Sequence, residues 1–230
     1  MDKTQQRKYL LLFISVMLFF FILGYIIDSK SYQRFFGENL TLITISSILF
    51  IGVLSIDYLN SKENFTIWVE KPNKKLILYF LIPLILGILI IVVDNLNHFP
   101  EEINILFPIS LIFYPIIVFL VDIIFHVIPL IVFTLMKNSF FKKSNNSSII
   151  WIFFILVSLI EPIYQIIDMI NYGSALWVII YVFLNVFLIN LTEFALYKKY
   201  GFFSMYVFRL IYYGIWHVTW GYFRLEILFN

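Results

Sequence analysis

Seven apolar runs divide the chain, near residues 9–27, 40–59, 76–93, 103–136, 149–170, 175–196 and 203–223. Within each run the apolar residues form a block. They do not recur at amphipathic spacing, so each run predicts a helix that is apolar all round. The shorter runs match the roughly 20 residues that cross a ~30 Å hydrocarbon core. The fourth, 34 residues from Ile103 to Met136, would be about 50 Å long as one helix. It reads either as one long kinked span or as two spans.

The polar positions between the runs arbitrate. Lys3, Arg7 and Lys8 precede the first run, and Lys62, Lys71, Lys74 and Lys75 fill the second connection. The third connection holds Asp94, Glu101 and Glu102 and no Lys or Arg. Lys137, Lys142 and Lys143 follow the long run, and Lys198 and Lys199 precede the last. Counting the long run as one crossing puts every strongly basic connection on the cytoplasmic side and the acidic one outside. Pro115 and Pro129 each remove a backbone donor from that run and predict a kink. The expectation is an all-α, polytopic transmembrane helical bundle of about seven spans in the cell membrane. Its N-terminus is cytoplasmic and its C-terminus lies outside. The first run is too long for a signal-peptide core and is followed by no small-residue cleavage site, so it is read as a retained span.

Composition sharpens this picture. The 230 residues are 62% hydrophobic and 13% charged, with 27 Phe, which no ordinary soluble domain shows. No polar stretch is long enough for a separate soluble domain, so residues 1–230 read as one integral membrane domain. Its parts are a three-span segment over 1–102 and a core over 103–230. Asn60–Lys75 includes Phe65, Ile67 and Trp68 and suggests an interfacial loop, while Ser144–Ser148 is a polar turn. The absence of cysteine excludes disulfides, thiolate metal sites and a Cys nucleophile. A net charge of +2 gives no indication of nucleic-acid binding.

Ionisable groups inside the runs are costly and default to a functional or pairing role. Counting about 1.5 Å per residue from the cytoplasmic anchors puts Asp122, Glu161 and His217 roughly 20–22 Å deep and His126 roughly 16 Å deep. Asp122 and His126, at i and i+4, share a helix face. Two histidines and two carboxylates form a ligand set for zinc or a similar divalent ion, or one carboxylate could act as general base on a metal-bound water. Asp122 could equally do no more than accept a hydrogen bond from His126. Glu161, Gln165 and Asp168 share one face of their helix. Pro162 frees the carbonyl of Ser158, which must find another donor. Arg209 and Glu193 fall roughly 8–10 Å deep and read as a structural ion pair.

The segment "VDIIFHVIPL" (121–130) together with "LYKKYGFFSMYVFRLIYYGIWHVTWG" (196–221) resembles the CPBP family of intramembrane metalloproteases, which includes CAAX proteases and bacteriocin-processing proteins. The resemblance spans about residues 115–225. Asp122 falls on the second Glu of that family's E-E-x-x-x-R motif, with Val121 in place of the first and His126 on the Arg. His217 falls on the His of its last motif, with Gly221 in place of the following Asn or Asp. The helix expected to carry F-x-x-x-H has no His, and Glu161 is the nearest substitute. The resemblance implies a CPBP-like core. In it His126, Glu161 and His217 bind a divalent metal such as zinc, and Asp122 activates the water that attacks a peptide bond. The substrate would be a membrane-associated protein or peptide, reached within the membrane lipids. The incomplete motifs equally suit a catalytically inactive, protease-like scaffold that binds and regulates a membrane partner.

Overall fold

The computed structural model describes residues 2–36, 41–63, 65–69, 74–140 and 147–228, and no strand occurs among them. Lys71, Lys142 and Lys143 of the charge pattern, and residues 144–146 of the polar turn, lie outside the described residues. The helices in chain order are α1 (Lys3–Ile27), α2 (Ser29–Phe36), α3 (Thr41–Lys62), α4 (Lys75–Asn97), α5 (Ser110–Asp122) and α6 (Ile128–Phe140). They continue with α7 (Ser147–Ser158), α8 (Ile160–Asn171), α9 (Leu176–Tyr200), α10 (Phe202–Tyr213) and α11 (Gly221–Leu228). Six spans among the described residues are long and apolar enough to cross a membrane: Lys3–Ile27, Leu42–Lys62, Lys75–Asn97, Ser110–Met136, Ile149–Asn171 and Leu176–Tyr200. Their outward faces present Leu12, Ile43, Ile85 and Ile152 exposed, the surface a lipid environment accepts.

The last rod joins α10 and α11 through a π-helical segment, Gly214–Trp220. It carries Arg209, His217 and Arg224, so it is less apolar than the other six. It nevertheless runs the length of the bundle. At one end the Phe202 and Phe203 amides donate to the carbonyls of Thr66 and Ile67, at 3.0 and 3.1 Å. At the other, Trp220 and Arg224 bond to Asp94 in the last turn of α4. Gly201, at φ 90°, makes the first junction possible. That conformation disfavours any residue with a side chain, and a Cβ there would lie 2.9 Å from the Thr66 carbonyl oxygen.

The fourth apolar run forms one crossing, in two respects unlike its sequence expectation. Residues 103–109 are not part of the helix, which starts at Ser110. Pro108 explains this, because a residue preceding proline is driven out of the helical region. The break in the helix is a π-helical segment, Ile123–Val127, between α5 and α6. It ends just before Pro129, whose ring would meet the Phe125 carbonyl in a regular α ladder, and the wider π turn relieves that clash.

Two apolar clusters hold the bundle. One joins Leu10, Met17 and Phe21 of α1 to Phe113 and Phe119 of α5. The other joins Ile90 and Val93 of α4 to Val182 and Val186 of α9 and Trp216 of the last rod. The residues of 1–102 therefore pack into the same cores as the C-terminal half. Asp94, read from the sequence as part of an acidic connection, is instead fully buried.

Candidate functional site

The centre of the bundle holds a polar cluster built by four helical elements around Arg209. Pro162 sets it up. The chain breaks between α7 and α8 at Leu159, and the Ser158 carbonyl is taken by Asn190 Nδ2 on α9 at 3.2 Å. The other end of that amide accepts from Arg209 Nη2 at 2.7 Å. Arg209 Nη1 donates to both oxygens of Glu161, each at 3.0 Å. Arg209 Nε donates to Glu193 Oε1 at 2.8 Å, and Nη2 bonds the other Glu193 oxygen. Asp122 Oδ1 lies 3.2 Å from Arg209 Nε, and His126 Nε2 lies 3.1 Å from Glu193 Oε2. One guanidinium thus serves three carboxylates, and all five ionisable side chains are buried.

Asp122, His126 and Glu193 each offer a ligand atom within 4.8 Å of one another, and this group could hold a metal ion. The fit can be judged from the donors already present. Asp122 Oδ2 and His126 Nδ1 have no hydrogen-bond partner among the described residues, while Asp122 Oδ1 and His126 Nε2 face Arg209 and Glu193. Both Glu193 oxygens are bound by Arg209. Asp122 and His126 thus each keep one unpartnered ligand atom, and Glu193 would share a cation with a guanidinium.

The members expected from the sequence separate. Asp122, His126 and Glu161 come together around Arg209, with Glu193 beside His126. His217 stands apart. Its ring stacks on Tyr114 at 4.7 Å and lies 4.7 Å from Tyr213. Tyr114 precedes Asp122 by eight residues, roughly 12 Å along the helix, so His217 is level with Tyr114, and Arg209 is level with Asp122. Depth counted from Phe202 misplaces both because helices tilt and because a long Arg side chain reaches well beyond its own Cα. Gly221 also has a local explanation: a Cβ there would collide with the Asn104 amide, which donates to the His217 carbonyl at 3.3 Å.

A cavity of about 540 Å³ connects the two histidine levels on one side only. Glu161 and Arg209 form its floor, and His217, Tyr213 and Trp216 form part of its wall. Tyr164, Asp168 and Tyr172 on α8 line it and are exposed, which marks its mouth. Gln165 lines it too and donates to Glu161 Oε1 at 3.1 Å, so Glu161, Gln165 and Asp168 do share the face that their spacing predicts. Asp122, His126 and Glu193 do not line the cavity. Asn185 and Asn190, which join Glu193 as polar positions in the α9 run, were the signal that the sequence reading passed over. Asn185 accepts from the Tyr212 hydroxyl at 3.1 Å, and its amide donates to the Tyr181 hydroxyl at 2.9 Å.

Protein-family models, curated proteins and solved structures give no match to this chain.

Proposed function

We propose that this is a multi-pass membrane protein that binds part of a membrane-borne protein or peptide in the α8–α9–α10 cavity and does not hydrolyse it. One observation carries this reading: Arg209 and Glu161 stand between the cavity and the group Asp122, His126 and Glu193. A general base must come within hydrogen-bond reach of the water or substrate proton it takes. Asp122 and His126 are at 0% exposure behind the guanidinium, so a ligand in the cavity meets the clamp and not the base. The cavity volume lies within the roughly 300–1,000 Å³ of ligand-sized pockets. It is too small for two turns of a helix about 10–12 Å across, so the bound part is an extended stretch or a chain end. Basic connections on the cytoplasmic side put the mouth at Tyr172 and Pro100 on the outer side.

A divergent CPBP-type intramembrane metallopeptidase is the second reading, favoured by the compact Asp122, His126 and Glu193 group. Those three residues would hold a divalent ion such as zinc, which when bound supplies an acidified water for peptide hydrolysis.

A photo-crosslinker placed at Met169, a cavity-lining residue, separates the two in cells. The binding reading expects the same intact partner adduct from the native chain and from Asp122→Asn, with no metal needed. Truncated partner from the native chain alone, with stoichiometric metal lost in His126→Ala, would replace it with the peptidase.

A further inference from the structure

We propose that the cavity recognises a cationic group, an ammonium or guanidinium, on the bound partner. This deepens the binding reading above and rests on it. Three features of the cavity converge. Its only basic residue among the described residues is Arg209, and that guanidinium is already held by Glu161 and Glu193 and lies beside Asp122. Glu161 and Asp168 line the cavity against that one guanidinium, which Glu193 also engages from behind, so carboxylate outweighs free cation along the lining. Asp168 at the mouth is an exposed carboxylate, and no Lys or Arg other than Arg209 lines the cavity among the described residues.

The walls are the second feature. Tyr114, Tyr164, Tyr172, Tyr213 and Trp216 all line the cavity. Aromatic faces attract a cation placed within about 6 Å of the ring centre, and the attraction grows as water is excluded.

The floor is the third feature. Glu161 lines the cavity and keeps acceptor capacity beyond its bonds to Arg209 and Gln165. A cationic N–H group entering past Asp168 thus meets carboxylate oxygens at the mouth and at the floor and aromatic faces on the walls between them.

The test uses the purified full chain in micelles of an uncharged maltoside detergent. The probes are synthetic membrane peptides of about 20 apolar residues ending in a short outer tail that carries Lys, Gln or Glu at one position. Each is made with its N-terminus acetylated or free, so that a side-chain ammonium and a terminal one are distinguished. Binding is titrated by fluorescence of a label on the peptide. The Lys tail, or the free terminus, is expected to bind on the order of tenfold more tightly than the acetylated Gln peptide, and the Glu tail more weakly still. Asp168→Asn and Tyr164→Leu, both at exposed positions where folding is not at stake, should each cut the Lys-over-Gln preference several-fold. Equal binding of Lys, Gln and Glu tails would overturn the cation inference and leave the binding reading standing. No binding by any peptide would overturn both.

Discussion

Arg224 and Arg209 lie about four turns apart on the same helical rod, both fully buried, and their surroundings differ in one decisive way. Arg224 Nε meets Asp94 at 2.5 Å, and its Nη2 bonds the Phe99 carbonyl. Asp94 is completed by Trp220 Nε1 at 2.7 Å and the Phe99 amide at 2.8 Å. Asp94 thus meets a guanidinium and two further donors, the arrangement that makes a buried carboxylate tolerable. Arg209 instead serves Asp122, Glu161 and Glu193 at once, and Asp122 Oδ2 has no hydrogen-bond partner among the described residues. The first cluster ties α4 to the end of the last rod. The second gathers three carboxyl groups and His126 around one guanidinium, next to a cavity.

The largest expected effect comes from removing the shared cation. Arg209→Leu leaves three buried carboxylates without it, and loss of one partner from a buried pair costs about 3–5 kcal/mol. Thermal unfolding of the purified variant in detergent should show a lower midpoint than any other single substitution in either arginine cluster. Adding Glu193→Leu should recover only part of the loss, because Asp122 and Glu161 remain. Complete recovery would mean that Glu193 is the one carboxylate that matters and would reduce this cluster to a second simple pair.

Arg224→Leu should cost less, about 2–3 kcal/mol, since Asp94 keeps the Trp220 and Phe99 donors. Here the double variant with Asp94→Leu is expected to recover most of the stability, as buried pairs replaced whole by apolar side chains often do. The contrast between partial recovery at Arg209 and near-full recovery at Arg224 is readable in the same unfolding assay. Equal recovery in both would break the comparison.

Much of the frame could be read from the chain, and the reasons for the rest are physical. Long apolar blocks mark spans because every backbone polar group in lipid must be satisfied within a helix. The apolar run Ile103–Met136 contains one candidate span, Ser110–Met136. Pro162 signals that the Ser158 carbonyl needs a donor, though only the fold shows that Asn190 supplies it. Arg224 and Asp94 are 130 positions apart, and nothing local in either segment signals the other. The π turns under His126 and His217 shift the hydrogen-bond register by one residue, a change that apolar composition does not encode. Depth counted along straight helices puts His217 too near Asp122. Its ring lies with Tyr114 and Tyr213 instead.

Asn190 joins the helix break to the cluster, so it tests whether the two are coupled. Asn190→Leu leaves the Ser158 carbonyl buried without its donor and takes one acceptor from Arg209, which still keeps Glu161 and Glu193. An unsatisfied buried acceptor of this kind costs about 1–2 kcal/mol. Unfolding midpoints of Asn190→Leu, Arg209→Leu and the double variant form a cycle. The double variant should be less destabilised than the sum of the two singles, since both act on one network. Strict additivity would show that the break at Leu159 and the clamp are independent.

The smallest expected effect is the sharpest test of the comparison. Asp122→Asn replaces one of the three carboxyl groups and keeps the shape. If the cluster carries surplus negative charge, this loss relieves repulsion from Glu161 and Glu193 while it forfeits one contact to Arg209, 3.2 Å away. The two changes oppose one another, and the new amide can donate toward Glu193. The unfolding free energy should then move by less than about 0.5 kcal/mol, in either direction. Asp94→Asn is the control. It removes the carboxylate that meets Arg224 Nε and turns one accepting oxygen into a donor facing the Trp220 and Phe99 donors. It should cost about 1–3 kcal/mol. Measured side by side, a near-neutral Asp122→Asn with a destabilising Asp94→Asn is the expected outcome. An Asp122→Asn variant as damaging as Asp94→Asn would show that all three central carboxylates are needed to hold Arg209. A surplus of negative charge in the cluster would then have to be given up.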